Sequence, residues 1–252
     1  MKTEFLDPIE LHEMDKVKLM NRTDTKYWFH IDDIEQILQE IKNDYYVLNI
    51  NGESNLEYTT TYYDTDNNRM FNEHHNGKLN RYKVRRRSYV SSEISFLEVK
   101  FKSNKGRTQK KRIPAQFGNA TITEAESEFL ANITPFKASE LHPALINNFS
   151  RVTLVNKNFN ERCTIDMNLQ FKSGDKVIAL DKLVIVEIKS DGKTENSPLA
   201  LALREQRIKT SGFSKYCIGR TITDSTLKIN AFRGKIKSIE KTIHSNFNID
   251  KF

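Results

Sequence analysis

The sequence predicts an α+β fold in which antiparallel strands roll into a barrel with a polar lumen and helices pack outside. Two observations carry this. First, in the run Arg81-Tyr-Lys83-Val-Arg85-Arg-Arg87-Ser-Tyr89, the alternation of an extended strand puts Arg81, Lys83, Arg85, Arg87 and Tyr89 on one face. In Phe96-Leu-Glu98-Val-Lys100-Phe-Lys102, Glu98, Lys100 and Lys102 share a face, with Leu97, Val99 and Phe101 behind them. Second, the scheme recurs. Arg162, Thr164 and Asp166 are backed by Cys163, Ile165 and Met167, and Glu187 and Lys189 by Val184, Val186 and Ile188. Lys110 and Arg112 share a face, and Arg151 sits in Phe149-Ser-Arg151-Val-Thr153. One cationic strand face is ordinarily solvated. Several of them with apolar backs under helices must face one another, and cations held together raise a potential that suits a polyanion. A barrel with a polar lumen accommodates both faces.

Taken in order, residues 1–20 read as a short helix over about 7–20, with Asp7 as N-cap and Pro8 at the first helical position. Ile31, Ile34, Ile37, Leu38 and Ile41 recur at helical spacing, with Asp32, Asp33 and Glu35 early, where acids suit the helix dipole. Leu56 to Thr65, rich in Thr and Tyr, reads as a strand ending in the turn Asp64 to Asn68; a polar stretch with Gly77 leads into the basic strand. Ser103 to Arg107 is a hairpin turn, returning through Thr108 to Ile113. Thr123 and Glu126 have capping-box spacing and open a helix near Glu124 to Asn132; Pro135 and Pro143 then imply short helices to about Asn148. Strands are expected at Phe149 to Val155, Arg162 to Phe171 and Val177 to Ser190. Ser197-Pro198 starts a helix to about Lys209 closed by Gly212, and about Asp224 to Ser245 forms a final basic helix. With no Gly-, Pro- or Ser-rich linker and no repeat, 1–252 is expected to be one domain.

The net charge of +7 points to an anionic partner, and no signal peptide or apolar run of membrane-spanning length is apparent, so the cytoplasm is the expected compartment. The two cysteines, Cys163 and Cys217, have no metal-ligand spacing and read as small buried apolar residues, and the adjacent His74 and His75 diverge. Phosphate-binding glycine loops, nucleophile elbows and zinc-protease helices are absent, so phosphate binding must come from side chains.

Several ordered motifs resemble those of the catalytic domain of the vacuolar transporter chaperone, the polyphosphate polymerase branch of the triphosphate tunnel metalloenzyme superfamily. They are Thr25-Lys26-Tyr27, Tyr63-Asp64-Thr65, Lys83 to Tyr89, Leu97 to Lys100, Lys110 to Arg112, Arg151, Arg162 to Asp166, Val186 to Lys189 and Phe213 to Tyr216. The resemblance implies an antiparallel eight-stranded β-barrel, the triphosphate tunnel. It implies a metal-dependent polymerase that transfers the terminal phosphate of ATP onto inorganic polyphosphate, with Mn2+ or Mg2+. Lys26, Arg85, Arg87, Lys100, Lys110, Arg151, Arg162, Lys189 and Lys215 would then be the catalytic tunnel cations, Arg22, Arg112 and Ser214 further substrate contacts, and Glu187 the metal ligand. Lys110 is preferred to Lys111 because it shares parity with Arg112. Phe149 stands where the family often has tyrosine, which removes a hydroxyl contact to phosphate. The partners would be ATP and polyphosphate, with a separate membrane protein for translocation and no nucleic acid.

Cations and a metal suffice for such phosphoryl transfer, because an anionic phosphate nucleophile needs no strong protein base. Two alternatives stand beside it. One is a triphosphatase or nucleoside triphosphate hydrolase of the same fold, whose usual Glu-x-Glu-x-Lys motif does not occur before Arg22. The other is a non-catalytic polyphosphate- or RNA-binding module, for which Tyr82 and Tyr89 would be base-stacking candidates, although a structural role suits each better.

Overall fold

The computed structural model describes residues 3–17, 19, 22–192 and 194–247. Its strands are β1 (Asp7–Glu10), β2 (Arg22–His30), β3 (Tyr45–Asn49), β4 (Leu56–Asp64), β5 (Arg81–Tyr89), β6 (Ile94–Lys102), β7 (Thr108–Ala115), β8 (His142–Asn156), β9 (Glu161–Ser173), β10 (Lys176–Leu180) and β11 (Leu183–Asp191). The helices are α1 (Ile34–Ile41), α2 (Arg69–His75), α3 (Glu124–Ile133), α4 (Pro198–Glu205), α5 (Lys215–Thr223) and α6 (Asn230–Ile243).

Eight strands follow one another in the order β2-β11-β9-β8-β4-β5-β6-β7, each pair antiparallel. Three more, β1, β3 and β10, attach to the side of this path, giving an 11-stranded sheet. Among the described residues no ladder joins β7 to β2, so the expected eight-stranded path is present but the barrel is not closed by hydrogen bonds.

The alternating faces are as the sequence implied. Cys163, Ile165, Met167, Val184, Val186 and Ile188 pack outside against α1 and α4, through Ile37, Leu38, Ile41, Leu199 and Leu203. Burying each such side chain contributes about 2 kcal/mol. Tyr63, Val84, Leu97 and Val99 form a second outer core with Leu130 of α3 and with Phe136. Cys163 and Cys217 are free thiols, both fully buried.

Several local expectations are corrected. The opening segment is a strand, not a helix over 7–20: Asp7–Glu10 pairs in parallel with β3, Ile9 is buried, and only Leu11–Lys16 turns, as a 3-10 helix. Residues 18, 20 and 21 lie outside the described residues. The short helices expected up to Asn148 reduce to a 3-10 turn at Ala138–Glu140, and β8 begins at His142. Pro143 is tolerated there because it sits opposite Tyr63, where the register to β4 shifts. The single strand expected from Val177 to Ser190 is two, split at Asp181 and Lys182. Helix α4 stops at Glu205, and Arg207 at φ 58°, not Gly212, follows its end.

A cationic lumen as the candidate active site

Residues directly opposite in a ladder share a face, so the register draws the lumen. Arg112, Glu98, Arg85 and Tyr62 form one row across β7, β6, β5 and β4. Thr164, Glu187 and Lys26 form another across β9, β11 and β2, and Arg162, Lys189 and Asp24 the next. Arg151 stands opposite Asp166 where β8 meets β9.

Helix α5 bridges these two sectors from the lumenal side. Its Tyr216, Cys217, Ile218 and Ile222 join Tyr58, Tyr62, Leu145, Phe149, Phe171 and Ile185 in one core. A Cβ on Gly219 would lie 2.5 Å from Phe171 Cδ1 and 2.6 Å from Leu145 Cδ2, so the helix axis lies against the sheet at this point. Asp64 fixes its other flank. That buried carboxylate accepts the Tyr216 hydroxyl, and also the backbone N–H of Met70 and of Phe71, each at 2.9 Å, which caps α2. Ser214 is the N-cap of α5; its oxygen accepts Cys217 N–H at 3.3 Å and Lys83 Nζ at 3.1 Å. The hydroxyl proton is what Ser214 has left for a ligand.

Three carboxylates are each held between two cations. Glu98 pairs with Arg85 at 2.6 Å and with Lys110; Asp166 takes a bidentate bond from Arg151 at 2.5 and 2.8 Å and pairs with Lys215; Glu187 pairs with Lys26 and Lys189. Their exposures separate them: the side chains of Glu98 and Asp166 are 0% and 4% exposed, Glu187 is 21%. Burial pushes the Glu98 carboxyl up, but Arg85 and Arg87 outweigh it and bring it down to about 2. Arg151 and Lys215 likewise outweigh burial and hold Asp166 well below the usual carboxylate range. These two acids remain ionised and fix cations in place. Glu187 alone has room to turn to another ligand.

Aromatic faces support the remaining cations. Tyr58 stacks on Phe149 at 5.3 Å; Arg151 lies 5.3 Å from both rings, Lys215 4.2 Å from Phe149, Arg87 5.9 Å from Tyr58 and Arg112 4.3 Å from Phe96. Phe149 thus contributes a ring face rather than a hydroxyl. Tyr89 packs on Tyr58 at 5.0 Å, while Tyr82 packs on Phe101 at the outer face, so neither projects as an open stacking platform.

Crowding shows in the lysines. Lys26 falls to about 7 through burial, with Lys189 and Lys215 nearby; Lys189 falls to about 7 through burial and Arg151. Arg85 first, then burial and Arg87, bring Lys100 to about 6, and burial, with Arg151 nearby, brings Lys215 to about 8. Burial, Arg85 and Arg151 bring Arg87 to about 10. Because Lys100 and Lys215 shed protons in the free protein, an anion that binds there must restore them. Calorimetry of tripolyphosphate binding at about pH 8, in two buffers of different ionisation enthalpy, is expected to show proton uptake, with affinity falling as pH rises. The unfolded chain holds these protons up to about pH 10, so the same two lysines make the free protein more stable as pH rises through that window. Zero uptake would contradict the placement of Lys100 and Lys215 at the anion site.

The structure therefore brings Lys26, Arg85, Arg87, Lys100, Lys110, Arg112, Arg151, Arg162, Glu187, Lys189, Ser214 and Lys215 to one lumenal surface. Lys111, of opposite parity, lines a groove of about 550 Å³ outside the sheet with Tyr82, Phe101 and Ile133. Arg22 opens β2, but its side chain lies outside the described residues. Sequence reasoning assigned no role to Glu98, Asp166 or Lys83, although strand parity put all three on the right face.

Among the described residues no three His, Cys, Asp or Glu side chains gather as a metal cage. The partly exposed Glu187 carboxylate among cations instead fits a hard divalent ion that arrives with phosphates, since such ions take one or two carboxylates plus substrate oxygens and water.

The family profile described as VTC domain matches residues 21–223. No curated protein shows a significant sequence match. Among solved structures, a candidate adenylyl cyclase from Hippeastrum with a dominant triphosphatase activity superposes with a TM-score of 0.51 at 11% identity, covering 79% of this chain and 96% of that one. A candidate adenylate cyclase from Vibrio parahaemolyticus matches with a TM-score of 0.48 at 13% identity, covering 80% and 99%.

Proposed function

The chain belongs to the VTC domain family, and from that premise we propose that it is a polyphosphate polymerase that transfers the terminal phosphate of ATP onto an inorganic polyphosphate chain. The observation that carries the reading is the gathering of cations from β2, β5, β6, β7, β8, β9, β11 and α5 on one lumenal surface around Glu187, a partly exposed carboxylate with room to serve an added ligand.

In the proposed reaction a terminal phosphate oxygen of the chain attacks the γ-phosphorus of ATP, the bond to the β-phosphate oxygen breaks, and ADP leaves. The nucleophile is already anionic, so no proton has to be removed by the protein. Arg85, Arg87, Lys100 and Lys110 on one side, and Lys26, Arg151, Arg162, Lys189 and Lys215 on the other, hold the two phosphate chains and offset the charge on the moving group. Glu98 and Asp166 keep Arg85 and Arg151 aimed. Glu187 would hold a divalent cation, Mn2+ or Mg2+; when bound, that ion draws charge from the phosphoryl oxygens. Lys26 and Lys189 are placed to follow the phosphates as Glu187 turns away from them.

Hydrolysis on the same surface is the second reading, favoured by the fold shared with the Hippeastrum protein. One assay separates the two: purified protein, ATP and Mn2+, with products resolved on a gel for phosphate chains. A ladder with ADP is expected. Free phosphate without a ladder would replace the polymerase reading by hydrolysis, and unchanged ATP would leave a binding module.

The domain extent of 1–252 and a cytoplasmic site of action belong to the same proposal. No helix among the described residues is long and apolar enough to cross a membrane; a separate membrane protein for translocation of product is part of the same proposal.

A further inference from the structure

The outer face of the β5–β6–β7 wall, turned away from the lumen, carries the groove of about 550 Å³ that Lys111 lines. Its floor is apolar: Tyr82, Val99 and Phe101, outward residues of β5 and β6. Tyr82 lies on Phe101 at 4.7 Å and meets the buried Phe136 edge-on at 6.0 Å. One wall is the end of α3 and the turn beyond it, Asn132 to Pro135, without a charged side chain. Thr134 fixes that wall: its hydroxyl donates to the Leu130 carbonyl at 2.8 Å and its oxygen accepts the Phe136 N–H at 3.2 Å. The other wall is Gln109 and Lys111 of β7, both exposed and set opposite Phe101 and Val99. The strand ladder and the helix end hold floor and walls apart, so the groove is built before any guest arrives.

Its basic side is uncompensated. From Val99 to Thr123 the chain has no Asp or Glu. The lumen accounts for Lys100, Lys110 and Arg112, but Lys111 has the opposite parity, and Lys105 and Arg107 lie in the turn before β7. All three are exposed, and among the described residues none of them is ion-paired. A run of charge is ordinarily solvated, and lysines on an edge strand discourage pairing with the same strand of another copy. Neither role accounts for an apolar floor left half-exposed beside them. An apolar centre with a charged rim is the makeup of a protein–protein contact, and this rim takes acids. A second copy would set the same cations against each other. A nucleic acid needs open ring faces, and those of Tyr82 and Phe101 are packed on each other.

We infer that this outer groove is a docking site for a partner protein, which it takes by an acidic segment bearing a bulky apolar side chain. The apolar side chain seats on Tyr82 and Phe101, and flanking carboxylates pair with Lys105, Arg107 and Lys111. Groove and lumen lie on opposite faces of one sheet, so docking does not depend on the reaction proposed for the lumen, and either can fail without the other.

The probe is a fluorescein-labelled peptide, Asp-Asp-Phe-Asp-Asp-Leu-Asp-Asp, followed by fluorescence anisotropy on the full chain. Excess tripolyphosphate is present throughout, so that lumenal cations do not compete. R107E/K111E is expected to weaken binding about tenfold, because two attractive rim charges become repulsive. Q109W, which fills the groove without changing its charge, is expected to weaken binding by a similar factor. The peptide with Phe and Leu replaced by Ala is expected to bind about fivefold more weakly, since the seated side chain carries much of the energy. Both variants leave the lumenal face alone, so melting temperature is expected to hold, and tripolyphosphate affinity to stay within about threefold. No peptide binding, binding that Q109W leaves unchanged, or binding that tripolyphosphate abolishes would overturn the site. Retention on phosphatidylserine vesicles or on oligouridylate without peptide binding would also overturn it, and would give the same face to a membrane or to RNA.

Discussion

Glu187→Gln is expected to lower metal-dependent turnover by about two to three orders of magnitude while leaving the fold intact. The substitution keeps the volume and one acceptor oxygen for Lys26 and Lys189 but removes the charge a divalent ion requires. Glu98 and Asp166 cannot replace it, since they are sealed between Arg85 and Lys110, and between Arg151 and Lys215. Two readouts separate this role from a general electrostatic one. The Mn2+ concentration for half-maximal activity rises, whereas metal-free binding of tripolyphosphate is retained or strengthened, because a negative charge has left the lumen. Unchanged Mn2+ dependence would remove Glu187 as the ligand.

Arg86→Ala is expected to destabilise the protein by about 3–5 kcal/mol. Strand parity puts Arg86 behind the cationic face, and on that ground its loss should change turnover little. The parity is right, but the back of β5 is not solvent. Arg86 donates to Glu126 at 2.8 Å, to the Tyr63 hydroxyl at 3.2 Å and to the carbonyls of Gln116 and Thr121 at 3.1 and 3.0 Å. The Arg86 and Glu126 side chains are 3% and 2% exposed, so removing one strands the other's charge in the interior. Glu126 also accepts the Thr123 N–H that opens α3, which ties the loop from Gln116 to Thr123 to the same pair. Urea unfolding measures the loss, and the paired R86M/E126L change is expected to recover much of it, since a hydrophobic pair carries no desolvation penalty. Stability within about 0.5 kcal/mol of the parent for Arg86→Ala would contradict this account. Activity per folded molecule is expected to be unchanged.

Much of the site could be read from alternation because a strand's period is two, so a cation at one position predicts the face of every second neighbour. Lys110 rather than Lys111, and Arg85 and Arg87 rather than Arg86, followed from that alone. What escaped was non-local. Helix α2 follows Asn68 at φ 54°, which has no side-chain cap of its own; its N–H groups are capped by Asp64, which the chain read as part of a turn. Helix α5 contains Cys, Ile, Gly and Thr, poor helix formers that hold their shape through burial. Asp7-Pro8 has the form of a helix start, but Leu6 and Ile9 found a core and Asp7–Glu10 a strand partner in β3. The roles of Glu98 and Asp166 depend on which cations lie beside them, and that emerges only when β5 to β7 and β8 to α5 are assembled.

The close seating of α5 at Gly219 has a consequence for how wide the lumen can be. With a hydrogen where other residues carry carbon, the helix lies flush on Phe171 and Leu145, and the depth to which Lys215 projects is set by that single gap. A methyl group there would lift the helix from its bed and carry the Lys215 ammonium away from Asp166 and the facing arginines. The width of the lumen is thus gauged from its floor, by an atom that is absent at Gly219.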